Sequence, residues 1–250
     1  MKKVFQFALV AIAAIAVAAC NGKDNPNNGG KENGGKENSV SIKVDGDFSD
    51  WADANIASCD MGEIDLEAAA YPYLHVMKGA ADSKNVYLYF EYELVEGQTA
   101  SAIDILINSD NDATSGFTSW IWSKEGCGWD FMLESEGGFL DGATAIRDMS
   151  EDMNVYKFLE GSGQDAWDAG SKFEQQNASD FFANKGVVKN GVAYFECSIQ
   201  RSVINANKKG ALALGVTFTN VVNGDWVTAG ILPQSEDGIG VAELFEIALP

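Results

Sequence analysis

Short runs of alternating apolar and polar residues, separated by Asp, Asn and Gly, constrain the fold of this chain more than any other feature. Alternation with a period of two places successive side chains on opposite faces of a strand. In Ser101–Asn108 (SAIDILIN) the three isoleucines fall on one face and Asp104 on the other. We predict strands at Ser39–Val44, Tyr73–Lys78, Val86–Leu94, Ser101–Asn108, Trp129–Glu134, Val155–Leu159, Val192–Gln200, Ala211–Thr219, Trp226–Ile231 and Glu243–Leu249.

Many short strands at this spacing predict an all-β fold, in which two sheets pack as a sandwich with long loops and one or two short helices. Asn190-Gly191 lies between two alternating runs and predicts a two-residue hairpin turn. Ala166–Asn184 is the least strand-like stretch, so we expect a helix or a long loop there.

The N-terminus has the organisation of an export signal. Two lysines precede an apolar run over residues 4–19, which is short for a membrane-spanning helix. The run ends Val17-Ala18-Ala19-Cys20, which resembles the lipobox of bacterial lipoproteins, and the alternative is an ordinary secretory signal. We expect a signal peptide at residues 1–19 and lipid attachment at Cys20.

Residues 20–38 are expected to be a flexible tether, because they repeat GGKEN and contain no bulky apolar side chain after the cysteine. Residues 39–250 then form one folded domain. This organisation predicts a lipid-anchored protein of the bacterial cell envelope, in the outer membrane and exposed at the surface.

The chain is strongly acidic, with a formal net charge of −20. Such a chain is a poor partner for nucleic acid, because neutralising phosphates requires Lys and Arg. With Cys20 lipidated, Cys59, Cys127 and Cys197 remain, so at most one disulfide forms or all three are buried thiols. A single histidine and the absence of a CxxC pair argue against a zinc site.

Five segments follow one another along the chain: Ile42–Asp53 (IKVDGDFSDWAD), Val86–Glu91 (VYLYFE), Ile107–Phe117 (INSDNDATSGF), Val192–Arg201 (VAYFECSIQR) and Phe245–Pro250 (FEIALP). In this order they resemble the motifs of the family 9 carbohydrate-binding modules and their relatives in the DOMON-like superfamily. Ile42–Asp53 looks like the opening signature of those domains. Asn108 and Ser115 depart from the family pattern, where aspartate and threonine are usual.

The resemblance implies an immunoglobulin-like or jelly-roll β-sandwich of family 9 type that binds a glycan or oligosaccharide without catalysing a reaction. It also implies bound calcium in a stabilising role. Fold alone does not fix the ligand.

Asn108, Asp110 and Asp112 are the candidate metal ligands. Oxygen side chains at alternate positions can converge on Ca²⁺ when a loop curls around it. The alternative is an Asx-rich turn, in which the same side chains accept hydrogen bonds from their own backbone. Asp45, Asp47 and Asp50 form a second acidic set, which is more typical of turn and helix capping than of ligation.

Trp120, Trp122 and Trp129 are the candidate ligand-binding residues. On a strand, Trp120 and Trp122 fall on one face, where their rings could stack on sugars. The alternative is that these large side chains pack in the core.

Catalytic signatures are absent from the sequence, which has no GxSxG motif and no P-loop. Glu134 and Glu136 are the nearest approach to a glycosidase pair, but a chain with 37 acidic residues always contains some such pair. We therefore expect no enzyme. The rival interpretation is a structural or adhesive lipoprotein that binds an envelope protein, and a glycoside hydrolase is the third.

Overall fold

The computed structural model describes residues 41–53, 56–60, 73–94, 101–112, 114–117, 127–135, 138–141, 145–159, 173–206, 209–222, 225–233 and 244–250. All of them belong to one compact unit, residues 37–250. A 3₁₀ helix at Phe48–Ala52 precedes the strands. The strands are β1 Ala57–Asp60, β2 Leu74–Ala81, β3 Asn85–Glu93, β4 Ser101–Asn108, β5 Phe131–Ser135, β6 Leu140–Asp141, β7 Ala145–Ile146, β8 Met153–Phe158, β9 Phe173–Asn177, β10 Phe182–Lys189, β11 Val192–Gln200, β12 Gly210–Val222, β13 Asp225–Leu232 and β14 Phe245–Leu249.

Two antiparallel sheets carry the fold. The first, sheet A, has the strand order β1-β2-β3-β11-β10. The second, sheet B, has the order β13-β12-β4-β5-β8-β9, with β14 also paired to β12. Strands β6 and β7 form a separate small hairpin.

The inner faces of the two sheets meet in one apolar core. Phe90 of sheet A packs against Phe218 of sheet B, with ring centroids 5.8 Å apart. Tyr92 stacks on the same Phe218 ring at 4.7 Å. The isoleucines of β4 are buried in this core together with Leu88 and Val216. The predicted all-β sandwich is therefore confirmed.

Most of the predicted strands exist, with ends that move by a few residues. Ser101–Asn108 and Val192–Gln200 have the predicted bounds. Asn190-Gly191 forms the predicted hairpin turn, since both residues have positive φ and Lys189 pairs with Val192. Two consecutive positive φ angles are what a type I′ turn requires.

Two predictions from the sequence are wrong. The described part of Ser39–Val44, residues 41–44, is not a strand. It lies instead over the outer face of sheet A, where Ile42 is buried beside Tyr87 and Tyr89. The described part of Ala166–Asn184 contains β9 and the start of β10 rather than a helix or a long loop. Strand β9 lacks the apolar alternation of a buried strand, because it is the edge strand of sheet B and residues 174–177 are exposed.

No disulfide is formed within the described residues. Cys127 and Cys197 are buried and Cys59 is partly buried, all as thiols. Among the helices of the described residues, none is long and apolar enough to cross a membrane.

Candidate functional site

The loop that follows β4 contains two of the predicted metal ligands, and its hydrogen bonds are those of Asx turns. The backbone N–H of Asp112 donates to Asp110 Oδ1 at 2.8 Å, and that of Thr114 donates to Asp112 Oδ1 at 2.8 Å. Both aspartates are exposed. Side chains of this type commonly hold such turns without a metal.

The third predicted ligand, Asn108, is in a different environment. It is only 2% exposed, and its side-chain amide donates to the carbonyl of Cys127 at 2.9 Å. Its Oδ1 atom has no hydrogen-bond partner. Within the described ranges, no three Asp, Glu, His or Cys side chains are grouped as metal ligands would be.

Asp130 belongs to this loop, although the sequence analysis did not identify it. Its Oδ2 atom accepts hydrogen bonds from Ser109 N at 2.7 Å and Ser109 Oγ at 2.9 Å. Burial raises the pKa of Asp130, and the neighbouring Asp110 carboxylate also raises it. No local spacing links Asp130 to a motif 20 residues earlier. Only the pairing of β4 with β5 brings them together.

Gly116 has a position in this loop that requires glycine. Its φ is +64°, and a Cβ atom there would lie 2.2 Å from the carbonyl oxygen of Trp129. The next residue, Phe117, exchanges two backbone hydrogen bonds with Trp129, each 2.8 Å long. The loop is thereby fixed against the start of β5.

An open groove lies beside the loop at one end of the sandwich. Its first part is a cavity of about 600 Å³, and a neighbouring cavity of about 580 Å³ shares Phe131, Lys157 and Asn205 with it. Phe131 and Phe158 border the groove, but their side chains are buried, with 2% and 6% exposure. The polar lining consists of hydroxyl, amide, carboxylate and ammonium groups, which include Ser109, Asp110, Asn111, Asp130, Gln175 and Gln176.

The structure places Trp129 in the core and not on a surface. Its side chain has 0% exposure and packs in a cluster with Phe117, Leu106 and Met132. Trp129 therefore presents no ring face to a ligand in this structure, which corrects the expectation for this residue. Trp120 and Trp122 lie outside the described residues, as does Cys20.

The opening signature, Ile42–Asp53, is hydrogen-bonded to sheet A through Glu196. Trp51 donates its indole N–H to Glu196 Oε2 at 2.8 Å, and the backbone N–H groups of Asp45 and Gly46 donate to Glu196 Oε1 at 2.9 and 2.7 Å. Asp47 caps the 3₁₀ helix by accepting from Ser49 N. The acidic set in this segment thus accepts hydrogen bonds from backbone N–H groups in turns and at the helix cap, which is the interpretation that the sequence favoured.

The outer face of sheet B carries a second buried carboxyl group, that of Asp104. Asp104 is directly opposite Thr217 of β12 on one side and Glu134 of β5 on the other. Burial raises the pKa of Asp104 to about 8, and the carboxylate of Glu134 contributes to the rise. Chemically, such a pair can share a proton or ligate a cation. A glycosidic bond cannot reach Asp104 here, because the residue is 4% exposed.

No family model matches the chain, and no curated protein matches it. Among solved structures, the chain is similar to a carbohydrate-binding module of family 9 from Caldicellulosiruptor kristjanssonii in complex with cellotriose. The identity is 10% and the TM-score is 0.41, over 84% of this chain and 90% of that chain.

Proposed function

We propose that this chain is a lipid-anchored, non-catalytic glycan-binding protein of the bacterial cell envelope. The observation that carries the proposal is the open groove at the end of the sandwich, beside the loop after β4. A linear oligosaccharide is the ligand class that suits it best.

The lining of the groove supports this ligand class. Sugar hydroxyl groups both donate and accept hydrogen bonds, so they pair with a mixed set of amides, carboxylates and ammonium groups. Gln175, Gln176, Asp130 and Lys157 supply such a set, and Ala211 adds a half-buried apolar side chain to the lining. Binding sites commonly combine apolar walls with a few placed polar groups.

Trp120 and Trp122 remain proposed ring platforms for the same ligand. The described residues at the two ends of their segment, Phe117 and Cys127, are held beside the loop after β4. Phe117 forms backbone hydrogen bonds with Trp129, and the carbonyl oxygen of Cys127 accepts a hydrogen bond from the Asn108 side chain.

A glycan array probed with the full chain in detergent tests the proposal. We expect specific binding that falls at least about tenfold for the double variant Gln175→Ala/Gln176→Ala, about 1.4 kcal/mol. Trp120→Ala and Trp122→Ala should each weaken binding as well.

Lys189→Ala is the control, because Lys189 is exposed at the end of β10 and does not line the groove. No retention of any glycan, or retention unchanged by all the groove and tryptophan variants, would contradict the proposal. Capture of one envelope protein in the absence of glycan binding would favour the rival interpretation.

Calcium is proposed to stabilise the loop after β4, with Asn108, Asp110 and Asp112 as ligands and Asp130 beside them. A ligand that binds only the native state raises the melting temperature. We expect the melting temperature to fall in EDTA and to recover with Ca²⁺ but not with Mg²⁺. An unchanged melting temperature, with no metal found by elemental analysis, would contradict the calcium site.

The anchor is proposed to be a lipid on Cys20, with residues 20–38 as the tether. Metabolic labelling with a radioactive fatty acid should mark the wild-type chain and leave Cys20→Ala unlabelled. Cys59→Ala is the control, because it removes a thiol from the folded domain instead. Label retained by Cys20→Ala would contradict the anchor.

A further inference from the structure

The outer face of sheet B carries a line of three oxygen-bearing side chains across neighbouring strands, which we name the carboxyl row: Thr217, Asp104 and Glu134. The strand register pairs Thr217 with Asp104 and Asp104 with Glu134. Directly paired residues point to the same face, with Cβ atoms about 4.5–5.5 Å apart. Three potential oxygen ligands are thus adjacent, although they come from three strands.

Two members of the carboxyl row are deeply buried. Thr217 has 0% exposure and Asp104 has 4%. Neither Thr217 Oγ1 nor Asp104 Oδ1 has a hydrogen-bond partner. Buried polar groups are nearly always hydrogen-bonded, and two adjacent exceptions on one face call for an explanation.

The charges of the carboxyl row favour a positively charged ligand. Like charges directly opposite each other on a sheet are unfavourable, and Asp104 and Glu134 form such a pair. Among the charged groups of the described residues, the one that acts on Asp104 is the Glu134 carboxylate. A proton on Asp104 would remove the repulsion between the two carboxylates, and a bound cation would do so as well while also taking the Thr217 hydroxyl as a ligand.

A hard cation answers all of these features at once. Ca²⁺ binds carboxylate, hydroxyl and amide oxygens in flexible geometries. Asn154 is paired with Glu134 on the next strand and extends the carboxyl row with an amide oxygen. We propose that the carboxyl row binds a divalent cation of the calcium type, ligated by Asp104, Glu134 and Thr217. This site is separate from the loop after β4.

Equilibrium dialysis of the full chain in detergent against radioactive Ca²⁺ tests the proposal. We expect Asp104→Asn to lose one bound equivalent, or to weaken its affinity at least about tenfold. Asp180→Asn is the matched control, since Asp180 is exposed in the turn before β10. An unchanged number and affinity of bound ions in Asp104→Asn overturns the proposal.

Thr217→Val keeps the proposal testable if Asp104→Asn fails to fold. It removes the hydroxyl group and preserves the shape of the side chain, so we expect Ca²⁺ to bind several-fold more weakly. Thr219→Val, two residues along the same strand, is its control and should bind as the wild type does. Equal Ca²⁺ affinity in the two valine variants overturns the proposal.

Asp110→Asn separates the carboxyl row from the loop. If the ion lost in Asp104→Asn is retained in Asp110→Asn, the carboxyl row holds it. If Asp110→Asn loses the only bound ion and Asp104→Asn retains it, the proposal is wrong. A crystal grown in Ca²⁺ that shows only water at the carboxyl row overturns it as well.

Discussion

Among the described residues, each of the two sheets buries one carboxyl group on its outer face, and the two groups have opposite hydrogen-bonding environments. On sheet A, Glu196 is 0% exposed and accepts three hydrogen bonds from the segment that covers it. On sheet B, Asp104 is 4% exposed and its Oδ1 atom accepts none. The burial is similar, but the hydrogen bonding differs completely.

This difference separates a structural carboxylate from a candidate site. Donors around Glu196 stabilise its ionised form and tie residues 45–51 to the sandwich, although burial still raises the pKa of Glu196 overall. Asp104 lies opposite another carboxylate and a hydroxyl that makes no hydrogen bond, so neither neighbour stabilises its ionised form. The hydrogen bonds to Glu196 stabilise the folded state. The environment of Asp104 is stable only when a proton or a cation neutralises the carboxylate.

Trp51→Ala should have the largest effect on the covered face of sheet A. Trp51 is 2% exposed, stacks on Tyr89 at 5.6 Å and donates to Glu196. We expect a loss of about 3–5 kcal/mol in the free energy of unfolding, measured by urea denaturation. Trp51→Phe keeps most of the ring and should lose less. Equal losses in the two variants would show that the hydrogen bond, and not packing, carries the effect.

Glu196→Gln should destabilise the protein by about 1–3 kcal/mol. A neutral amide keeps only one acceptor oxygen, so at least one of the donors on Trp51, Asp45 and Gly46 is left without its partner. Glu246→Gln is the control, because Glu246 is exposed on β14. Urea midpoints at pH 7 provide the comparison. Equal midpoints for Glu196→Gln and the wild type would mean that the tie is energetically unimportant.

Asp47→Ala should cost less, about 1 kcal/mol, because it removes one capping hydrogen bond at the start of the 3₁₀ helix. Asp47→Ser keeps a short acceptor at the same position and should restore most of the loss. Thermal unfolding of the two variants in parallel measures the difference. A serine variant as unstable as the alanine variant would indicate that charge, rather than the cap, is what matters at this position.

The sequence predicts which side chains of a strand share a face, but not which side chains of other strands lie beside them. Alternation in β4 correctly separated the isoleucines from Asp104, because that pattern is local. It could not show that Thr217 and Glu134 stand beside Asp104, since strand pairing joins residues 30 and more than 100 positions apart. Asp130 could not be assigned to the loop after β4 for the same reason, because only strand pairing brings it there. For Trp129 the sequence left both a ligand-binding role and core packing open, because a tryptophan near a loop gives the same pattern whether it is exposed or buried.

Asp104→Asn should have the smallest effect at about pH 4 and the opposite sign from Glu196→Gln at higher pH. The pKa of Asp104 is about 8 in the folded chain and 3.8 as its ordinary value, so the folded state binds more protons between these limits. Stability of the wild type in EDTA should therefore fall as pH rises from about 4 to about 8. The asparagine variant has no such proton to lose. Its change in stability should be under about 1 kcal/mol at pH 4, where both side chains are neutral in the folded state and the Oδ1 atom of Asp104 accepts no hydrogen bond.

Urea denaturation in EDTA at pH 4, 5, 6, 7 and 8 measures this pH dependence, with Asp180→Asn as the control for an exposed carboxylate. We expect the stabilities of Asp104→Asn and the wild type to be close at pH 4 and to separate as the pH rises, with the variant the more stable at pH 8. Parallel curves would mean that Asp104 is supported in the folded state much as Glu196 is. The contrast between the two outer faces would then be one of burial alone.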